Sequence, residues 1–163
     1  RLAFMQDFIP VFNSRYKNIS EGKESISLEY ESQLQEQTHK ELLETSLPKD
    51  KVLQYTTQGT HKDDINFLLE DQPIKKFGSQ GQQKTFLVAL KFAQFEFLKT
   101  QIGGAPILLL DDAFDKLDQK RVTQIVSLVE KNDFGQIFIT DTHEERTLEA
   151  LGKSQSNYQI FKL

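Results

Sequence analysis

Two adjacent carboxylates offer the most direct chemistry in this sequence. Asp111 and Asp112 follow Ile107–Leu110, an unbroken apolar run that predicts a buried β-strand. Ligands collect at the carboxyl ends of strands in open α/β sheets, and a Mg²⁺ ion would offset the repulsion between two neighbouring acids. We therefore assign Asp111 to Mg²⁺ and Asp112 to polarising an attacking water. The alternative is an ordinary strand-end pair that caps a helix.

A polar loop earlier in the chain offers a second kind of chemistry, the binding of an anion. Gly78–Gly81 precedes a long apolar helix that is predicted at Gln82–Lys99. Free N–H groups at the start of a helix attract phosphate. Ser79 adds a hydroxyl, and Gly81 lets the backbone approach a ligand closely. The alternative is a polar turn in which Ser79 only caps the helix.

The elements that must position these residues alternate between strand and helix. This alternation predicts an α/β fold with a mainly parallel sheet flanked by helices. Asp118 is suited to cap the helix that follows the two acids. The strand Ile107–Leu110 is expected to be covered on both faces. The later elements are a helix at Gln119–Lys131, a strand at Gln136–Thr140, a helix at Glu144–Leu151 and a strand at Tyr158–Leu163.

The first part of the chain predicts a helical segment that leads into a strand and a second helix. Apolar residues recur at helical spacing in Arg1–Tyr16, which Pro10 kinks or bounds. We assign residues 1–50 to the end of a helical lobe with its leading strand and helix, and residues 51–163 to the main domain. Further predictions are a strand at Ile26–Tyr30, a helix at Glu31–Ser46, and short strands at Gln54–Thr57, Ile65–Leu69 and Ile74–Phe77.

Composition excludes several classes of protein. The 163 residues include no Cys, which excludes disulfides and Cys-ligated zinc, and no apolar run long enough to span a bilayer. A cytoplasmic setting is expected. The net charge is −4 and the Lys residues are scattered, so composition argues mildly against strong DNA binding by this segment alone.

The order of the motifs resembles that of ABC-type ATPase heads. Ser79–Gln83 looks like their signature loop, Leu108–Asp112 like the Walker B strand with its acids, and Asp115–Asp118 like the D-loop. In those heads two ATP molecules lie between two subunits, each held by the phosphate loop of one and the signature loop of the other. The resemblance therefore implies a P-loop NTPase fold, and it assigns nucleotide contacts in trans to Ser79, Gln80, Gly81, Gln82 and Asp118.

Four segments narrow the resemblance to the RecF family of bacterial recombination and repair proteins: Gly78–Thr85, Ala89–Ala93, Pro106–Asp112 and Gly135–Thr142. The similarity covers nearly the whole chain. It implies an ATP-dependent DNA-binding protein of recombinational repair and replication restart. Such proteins recognise single-strand gaps, load recombinase with RecO and RecR, and support the SOS response. It also implies ATP and Mg²⁺ as cofactors, an ATP-dependent homodimer, and slow ATP hydrolysis by the full-length dimer.

Several positions depart from the family pattern. Thr60 and Lys62 stand where the family usually has Pro and Arg, and Lys lacks the planar fork of Arg. Asp112 stands where transporters use Glu, and its shorter reach suits slow hydrolysis. His143 is the candidate for the catalytic switch histidine of such heads, with a surface loop histidine as the alternative.

One motif of an ATPase head is absent from the sequence. No G-x-x-x-x-G-K-[ST] occurs, so the loop that grips the phosphates is expected in a preceding half. The chain is therefore interpreted as the C-terminal half of a RecF-type head, inactive on its own. Two alternatives stay open at this point: an ABC transporter ATPase subunit, and an interaction domain with degenerate ATPase motifs.

Overall fold

The computed structural model describes residues 1–131, 134–142, 144–152 and 158–162. The helices are α1 Leu2–Ser20, α2 His39–Leu53, α3 Ile74–Phe77, α4 Gln80–Ile102, α5 Gln119–Lys131 and α6 Glu144–Leu151. The strands are β1 Ile26–Glu31, β2 Asp64–Leu69, β3 Gln72–Pro73, β4 Ile107–Leu110 and β5 Gln136–Ile139. None of the helices in these ranges is both long and apolar enough to cross a membrane.

An aromatic core joins α1 to α4. Phe12 and Tyr16 on α1 are fully buried, and their ring centroids lie 4.7 Å and 5.9 Å from that of Phe86 on α4. Ring pairs of this kind contribute about 0.5–1.5 kcal/mol each beyond the burial of their area. The helix continues through Pro10 to Ser20, so the prediction that Pro10 bounds it is wrong. Phe8 and Phe12, on either side of the proline, are both buried in the same core.

Three strands form an antiparallel sheet beside this core. β1 pairs with β2, beginning with Ile26 opposite Leu69, and β3 pairs with the end of β2. The turn between β2 and β3 consists of Glu70 and Asp71, whose φ angles of 48° and 60° are those of a two-residue type I′ turn. The strands that the sequence predicts at Ile26–Tyr30 and Ile65–Leu69 are confirmed.

A parallel pair of strands carries the edge at which the two acids lie. β4 and β5 pair with Ile107 opposite Gln136 and Leu110 opposite Ile139. Helix α5 lies between them in the chain, so the three elements form a βαβ unit. Within the described part of the chain, the predicted parallel sheet is present as these two strands.

One face of this pair is open. Leu108 and Leu110 are buried, whereas Ile107 is 60% exposed and Leu109 67% exposed. Phe138, opposite Leu109 on β5, is 50% exposed. The exposed positions alternate with the buried ones as the pleat requires. The expectation that β4 is covered on both faces is therefore wrong for the described residues, which cover only one of them.

The second helix lies later in the chain than predicted. The segment predicted as helical at Glu31–Ser46 begins instead with a short 3₁₀ turn at Gln33–Gln35, and α2 starts only after Thr38. A capping box fixes that start, because Thr38 and Glu41 satisfy each other's backbone N–H groups. The helix then extends to Leu53, which leaves the predicted strand at Gln54–Thr57 as a turn and an irregular segment.

Two predicted strands near functional segments are also wrong. Ile74–Phe77 forms the single turn α3, in which the buried Ile74 anchors the segment to the core. Residues 158–162 are not in a strand, since no strand of the described chain pairs with them. Leu163 lies outside the described residues.

The predicted boundary at residue 50 falls inside a helix. Helix α2 spans His39–Leu53, and α1 from the first segment packs along α4 from the second. The division into residues 1–50 and 51–163 stays a prediction.

Candidate functional site

A threonine at the end of β5 holds the two acids that follow β4. The Thr140 hydroxyl donates to Asp111 Oδ1 at 2.5 Å and accepts from the backbone N–H of Asp112 at 2.8 Å. Asp112 has a φ of 48°, a left-handed conformation that a non-glycine residue adopts only with support. A hydroxyl can donate and accept at once. Thr140 therefore supports the bend and orients one carboxylate.

The two acids lie at the carboxyl edge of the parallel pair. The ladder continues past the strand ends, because Thr140 N–H donates to Leu110 C=O at 3.0 Å and Ala113 N–H donates to Thr140 C=O at 3.1 Å. This edge is where ligands bind in open α/β folds. The sequence prediction placed the acids correctly but did not single out Thr140. A threonine that ends the next strand was the available signal.

The two acids suit a metal ion that is bound partly by the protein and partly by a ligand. Asp111 is exposed and Asp112 is half-buried. Among the described residues, no group of three or more His, Cys, Asp or Glu side chains could hold an ion. Mg²⁺ typically takes one or two carboxylates and completes its shell with waters and substrate phosphates. Asp111 and Asp112 therefore fit such a site in part, and they do not form a complete metal cage.

The loop before α4 is built around a capping box. Ser79 Oγ accepts from Gln82 N–H at 3.2 Å, and Gln82 Oε1 accepts from Ser79 N–H at 2.9 Å. At Gly78 an added Cβ would lie 2.7 Å from the Ile74 carbonyl oxygen, so the turn requires glycine there. The capping role of Ser79 is thus confirmed. Because Ser79 caps it, the helix begins at Gln80, two residues earlier than the predicted start at Gln82. Anion binding by this loop stays a prediction.

The segment predicted as a D-loop is anchored by two buried apolar residues. Phe114 is 0% exposed and Leu117 is 2% exposed, while Asp118 lies at the surface. The Asp118 carboxylate accepts from the Arg121 backbone N–H at 2.8 Å, which confirms the predicted cap of α5. This segment also lies close to the first turn of α4, because an added Cβ on Gly81 would lie 3.0 Å from the Lys116 carbonyl oxygen.

A partly buried ion pair connects the starts of α4 and α5. Arg121 donates to Glu24 Oε1 at 2.7 Å and to Thr85 Oγ1 at 2.6 Å. The same Glu24 oxygen accepts from Gln82 Nε2 at 2.9 Å, and its other oxygen accepts from the Tyr16 hydroxyl at 2.5 Å. The side chains of Arg121 and Glu24 are 18% and 15% exposed. Sequence reasoning missed this network, since the pair is separated by 97 residues.

The network changes the titration of its members. Burial raises the pKa of Glu24, but the hydrogen bonds from Tyr16, Gln82 and Arg121 lower it by more, so the pKa lies below its ordinary value. Burial lowers the pKa of Arg121, but Glu24, Tyr16 and Asp118 together raise it by more, so the pKa lies above its ordinary value. Burial and the neighbouring Glu24 both raise the pKa of Tyr16. Glu24 and Arg121 are therefore charged near neutral pH.

Two candidate segments remain, of which only one lies in the part of the chain that the structure describes. His143 lies outside the described residues, so its proposed switch role stays a prediction. Thr60 and Lys62, where the sequence departs from the family pattern, lie in a single 3₁₀ turn at the surface. Next to that turn, Asp63 accepts from the Tyr30 hydroxyl at 2.7 Å and from Arg1 at 2.5 Å. This arrangement ties the turn to β1 and to the start of α1.

Known proteins resemble this chain over its whole length. It is 53% identical over 163 residues to the DNA replication and repair protein RecF of Flavobacterium johnsoniae, covering 100% of this chain and 45% of that protein. It is 52% identical over 163 residues to RecF of Bacteroides thetaiotaomicron, covering 44% of that protein. No family model matches the chain.

Solved structures resemble the fold. The structure of the recombination mediator protein RecF with ATP, from the RecFOR pathway, matches with a TM-score of 0.69 and 24% identity. That match covers 89% of this chain and 40% of the other. A second structure of RecF, with ATPrS, matches with a TM-score of 0.67. The α/β fold is thus that of part of an ABC-type ATPase head. The chain spans a little under half the length of the relatives it matches, and it belongs to the RecF family.

Proposed function

We propose that this chain works as one half of an ATP-dependent DNA-binding protein of recombinational repair and replication restart. The observation that carries the proposal is the identity of 53% across all 163 residues to a protein named for DNA replication and repair. The same observation disfavours a transporter ATPase subunit. Gapped DNA, mediators of the RecO and RecR type and a cytoplasmic setting are further parts of the proposal.

The loop before α4 and the start of α5 would contact ATP that a second copy of the protein holds. Ser79, Gln80, Gly81 and Gln82 supply a helix start with a hydroxyl and a glycine, which suits a terminal phosphate. Asp118 lies at the surface two residues after Lys116, whose carbonyl oxygen would lie 3.0 Å from a Cβ added to Gly81. This close approach supports a joint role for the two segments.

The acids after β4 would serve the chemistry of hydrolysis. Asp111, oriented by the Thr140 hydroxyl, would hold Mg²⁺, which neutralises charge on the phosphates when it is bound. Asp112 would orient the attacking water and accept its proton. His143 is proposed as a further catalytic residue that senses the terminal phosphate. The half with the phosphate-gripping loop is needed for all of these roles, so hydrolysis is expected only in the full-length dimer.

The test replaces Ser79 with Arg in the full-length protein. Bulk and a fixed cation at that position should abolish dimerisation driven by ATP, as measured by analytical ultracentrifugation with and without nucleotide. The matched control is Thr38→Arg, because Thr38 caps α2 with the same capping-box geometry. Both variants lose a cap worth about 1 kcal/mol, so their melting temperatures should fall alike.

Two outcomes would decide the proposal. Loss of ATP-driven dimerisation in Ser79→Arg alone would support contact in trans. Normal dimerisation of Ser79→Arg would remove the role assigned to the loop, and an interaction domain with degenerate ATPase motifs would then explain the chain better. In gel shifts with ATP, a variant that no longer dimerises should also lose binding to gapped DNA, and a variant that still dimerises should keep it.

A further inference from the structure

Two segments that would act on one nucleotide begin different helices. The loop Ser79–Gln82 starts α4, and the D-loop segment Asp115–Asp118 precedes α5. Their positions relative to each other depend on contacts between the two helix starts. Groups that act together on a phosphate must be held to well under 1 Å, since a misplacement of that size costs about 100-fold. The described contacts show what holds them.

Arg121 lies at the centre of these contacts. Its guanidinium donates to Thr85 Oγ1 at 2.6 Å and to Glu24 Oε1 at 2.7 Å, and its Nε lies 3.4 Å from Asp118 Oδ2. Thr85 in turn donates to the Gly81 carbonyl at 2.7 Å. One side chain on α5 therefore reaches the backbone of the first turn of α4 through a single threonine. Its planar fork suits contacts in several directions, which a lysine could not make together.

Glu24 closes the network from the other side. It lies between α1 and β1, and it accepts from Gln82, from Arg121 and from Tyr16. A carboxylate has about four acceptor positions, so it can take all three donors at once. Because Tyr16 is fully buried in the aromatic core, Glu24 is fixed to the rigid part of the protein.

The D-loop segment also lies close to Gly81, in the first turn of α4. A side chain there would meet the Lys116 carbonyl oxygen at 3.0 Å, closer than most Cβ contacts. A shift of the D-loop segment toward Gly81 would therefore press on the first turn of α4. Arg121 and Glu24 flank this contact and hold both segments against the same core.

We propose that Arg121 and Glu24 are positioning residues that set the loop Ser79–Gln82 and the D-loop segment Asp115–Asp118 in one geometry, so that both reach the partner's nucleotide together. This inference rests on the proposed function in trans. It assigns to these two residues no contact with nucleotide. Their effect is on the assembly of the dimer.

The chain offers a matched control for the removal of this ion pair. Arg15 on α1 donates to Glu96 on α4 at 2.7 Å, and its side chain is 15% exposed, close to the 18% of Arg121. Glu96 lies 14 residues beyond Gln82 on the same helix, about 21 Å along its axis. Arg15→Met thus removes the ion pair of a similarly buried arginine on the same helix, far from the loop, with a partner that is 42% exposed against 15% for Glu24.

The experiment compares Arg121→Met, Arg121→Lys and Arg15→Met in the full-length protein. We measure melting temperature, ATP affinity of the monomer, and the dissociation constant of the ATP-bound dimer. Both Met variants should melt at similarly lower temperatures and bind ATP within about twofold of the parent protein, since the phosphate loop lies elsewhere. Only Arg121→Met should weaken the dimer, by about tenfold or more. Arg121→Lys should restore part of this loss, because it keeps the charge without the fork.

Other outcomes overturn the inference. If Arg121→Met and Arg15→Met weaken the dimer equally, the pair only stabilises the fold. If Arg121→Met does not fold, a double-mutant cycle of Arg121→Lys with Gln82→Ala replaces it, and additive effects on dimerisation would refute the coupling. The Ser79→Arg test separates the two proposals. If Ser79→Arg abolishes dimerisation and Arg121→Met leaves it intact, this inference is rejected and the proposed function is not.

Discussion

Replacing Thr140 by valine would test how the acids after β4 are held. Valine has the shape of threonine without the hydroxyl, and its branched side chain suits the strand end. The change removes the donor to Asp111 Oδ1 and the acceptor for the Asp112 N–H. It leaves the two backbone hydrogen bonds of Thr140 in place. The variant therefore isolates the hydroxyl.

The size of the effect follows from these two hydrogen bonds. A neutral bond contributes about 0.5–1.5 kcal/mol net and a bond to a charged group about 1.5–3 kcal/mol. Asp111 is exposed, so water weakens the second contribution. We expect a loss of about 1–2 kcal/mol in the free energy of unfolding. Because Asp112 loses support for its left-handed backbone, ATP hydrolysis by the full-length dimer should fall by about 10–100-fold.

Urea denaturation gives the stability and a steady-state phosphate-release assay gives the rate. Thr140→Ser keeps the hydroxyl and should hydrolyse ATP within about threefold of the parent protein. Thr123→Val is the control for the same chemical change on a helix, since the Thr123 hydroxyl donates only to the Gln119 carbonyl at 3.0 Å in the described contacts. If Thr140→Val matches Thr123→Val in both measurements, the hydroxyl does not hold the acids, and the reasoning is wrong.

Two further predictions concern the loop before α4 and its network. Gly81→Ala should weaken the ATP-bound dimer, as measured by ultracentrifugation, because its Cβ would press on the Lys116 carbonyl. Gly104→Ala is the control and should not weaken the dimer, since its Cβ would meet nothing within 4 Å. Equal effects of the two changes would contradict the close approach at Gly81. Glu24→Gln should lower the free energy of unfolding at pH 7, and this difference from the parent protein should disappear in acid. The pKa of Glu24 is lowered by the fold, so its contribution is complete above about pH 4.3 and is lost as the pH falls through the folded value. The measurement is the urea midpoint at several pH values, with the exposed Glu29→Gln as control. Only for Glu24→Gln should the difference from the parent protein shrink as the pH falls. A difference that stays constant with pH would count against the ion pair.

The parts of the fold that the sequence could predict are those fixed by local chemistry. The cap at Ser79 requires only a hydroxyl three residues before a polar side chain that can reach back. Asp118 caps α5 because its carboxylate accepts from the backbone N–H of the residue three positions later. The apolar run Ile107–Leu110 and the acids after it were predictable because a strand end and its charges lie next to each other in the chain.

The parts that could not be predicted depend on contacts between distant residues. Glu24 and Arg121 meet across 97 residues, and neither lies in a pattern that predicts its partner. Ile74–Phe77 has the apolar residues of a short strand, and the core contact of Ile74 makes it a helical turn instead. The trans contacts with nucleotide, and the role of His143, which lies outside the described residues, stay predictions.

The open face of the β4–β5 pair also determines how these 163 residues would behave as a purified reagent. Leu109 and Phe138 lie side by side there, both at least half exposed, and Ile107 extends the same patch. A net charge of −4 gives weak repulsion between molecules. Sulfate and phosphate salts strengthen apolar association. A preparation of this segment alone is therefore expected to lose solubility in such buffers, and low-salt buffers above neutral pH are the better choice for storing it.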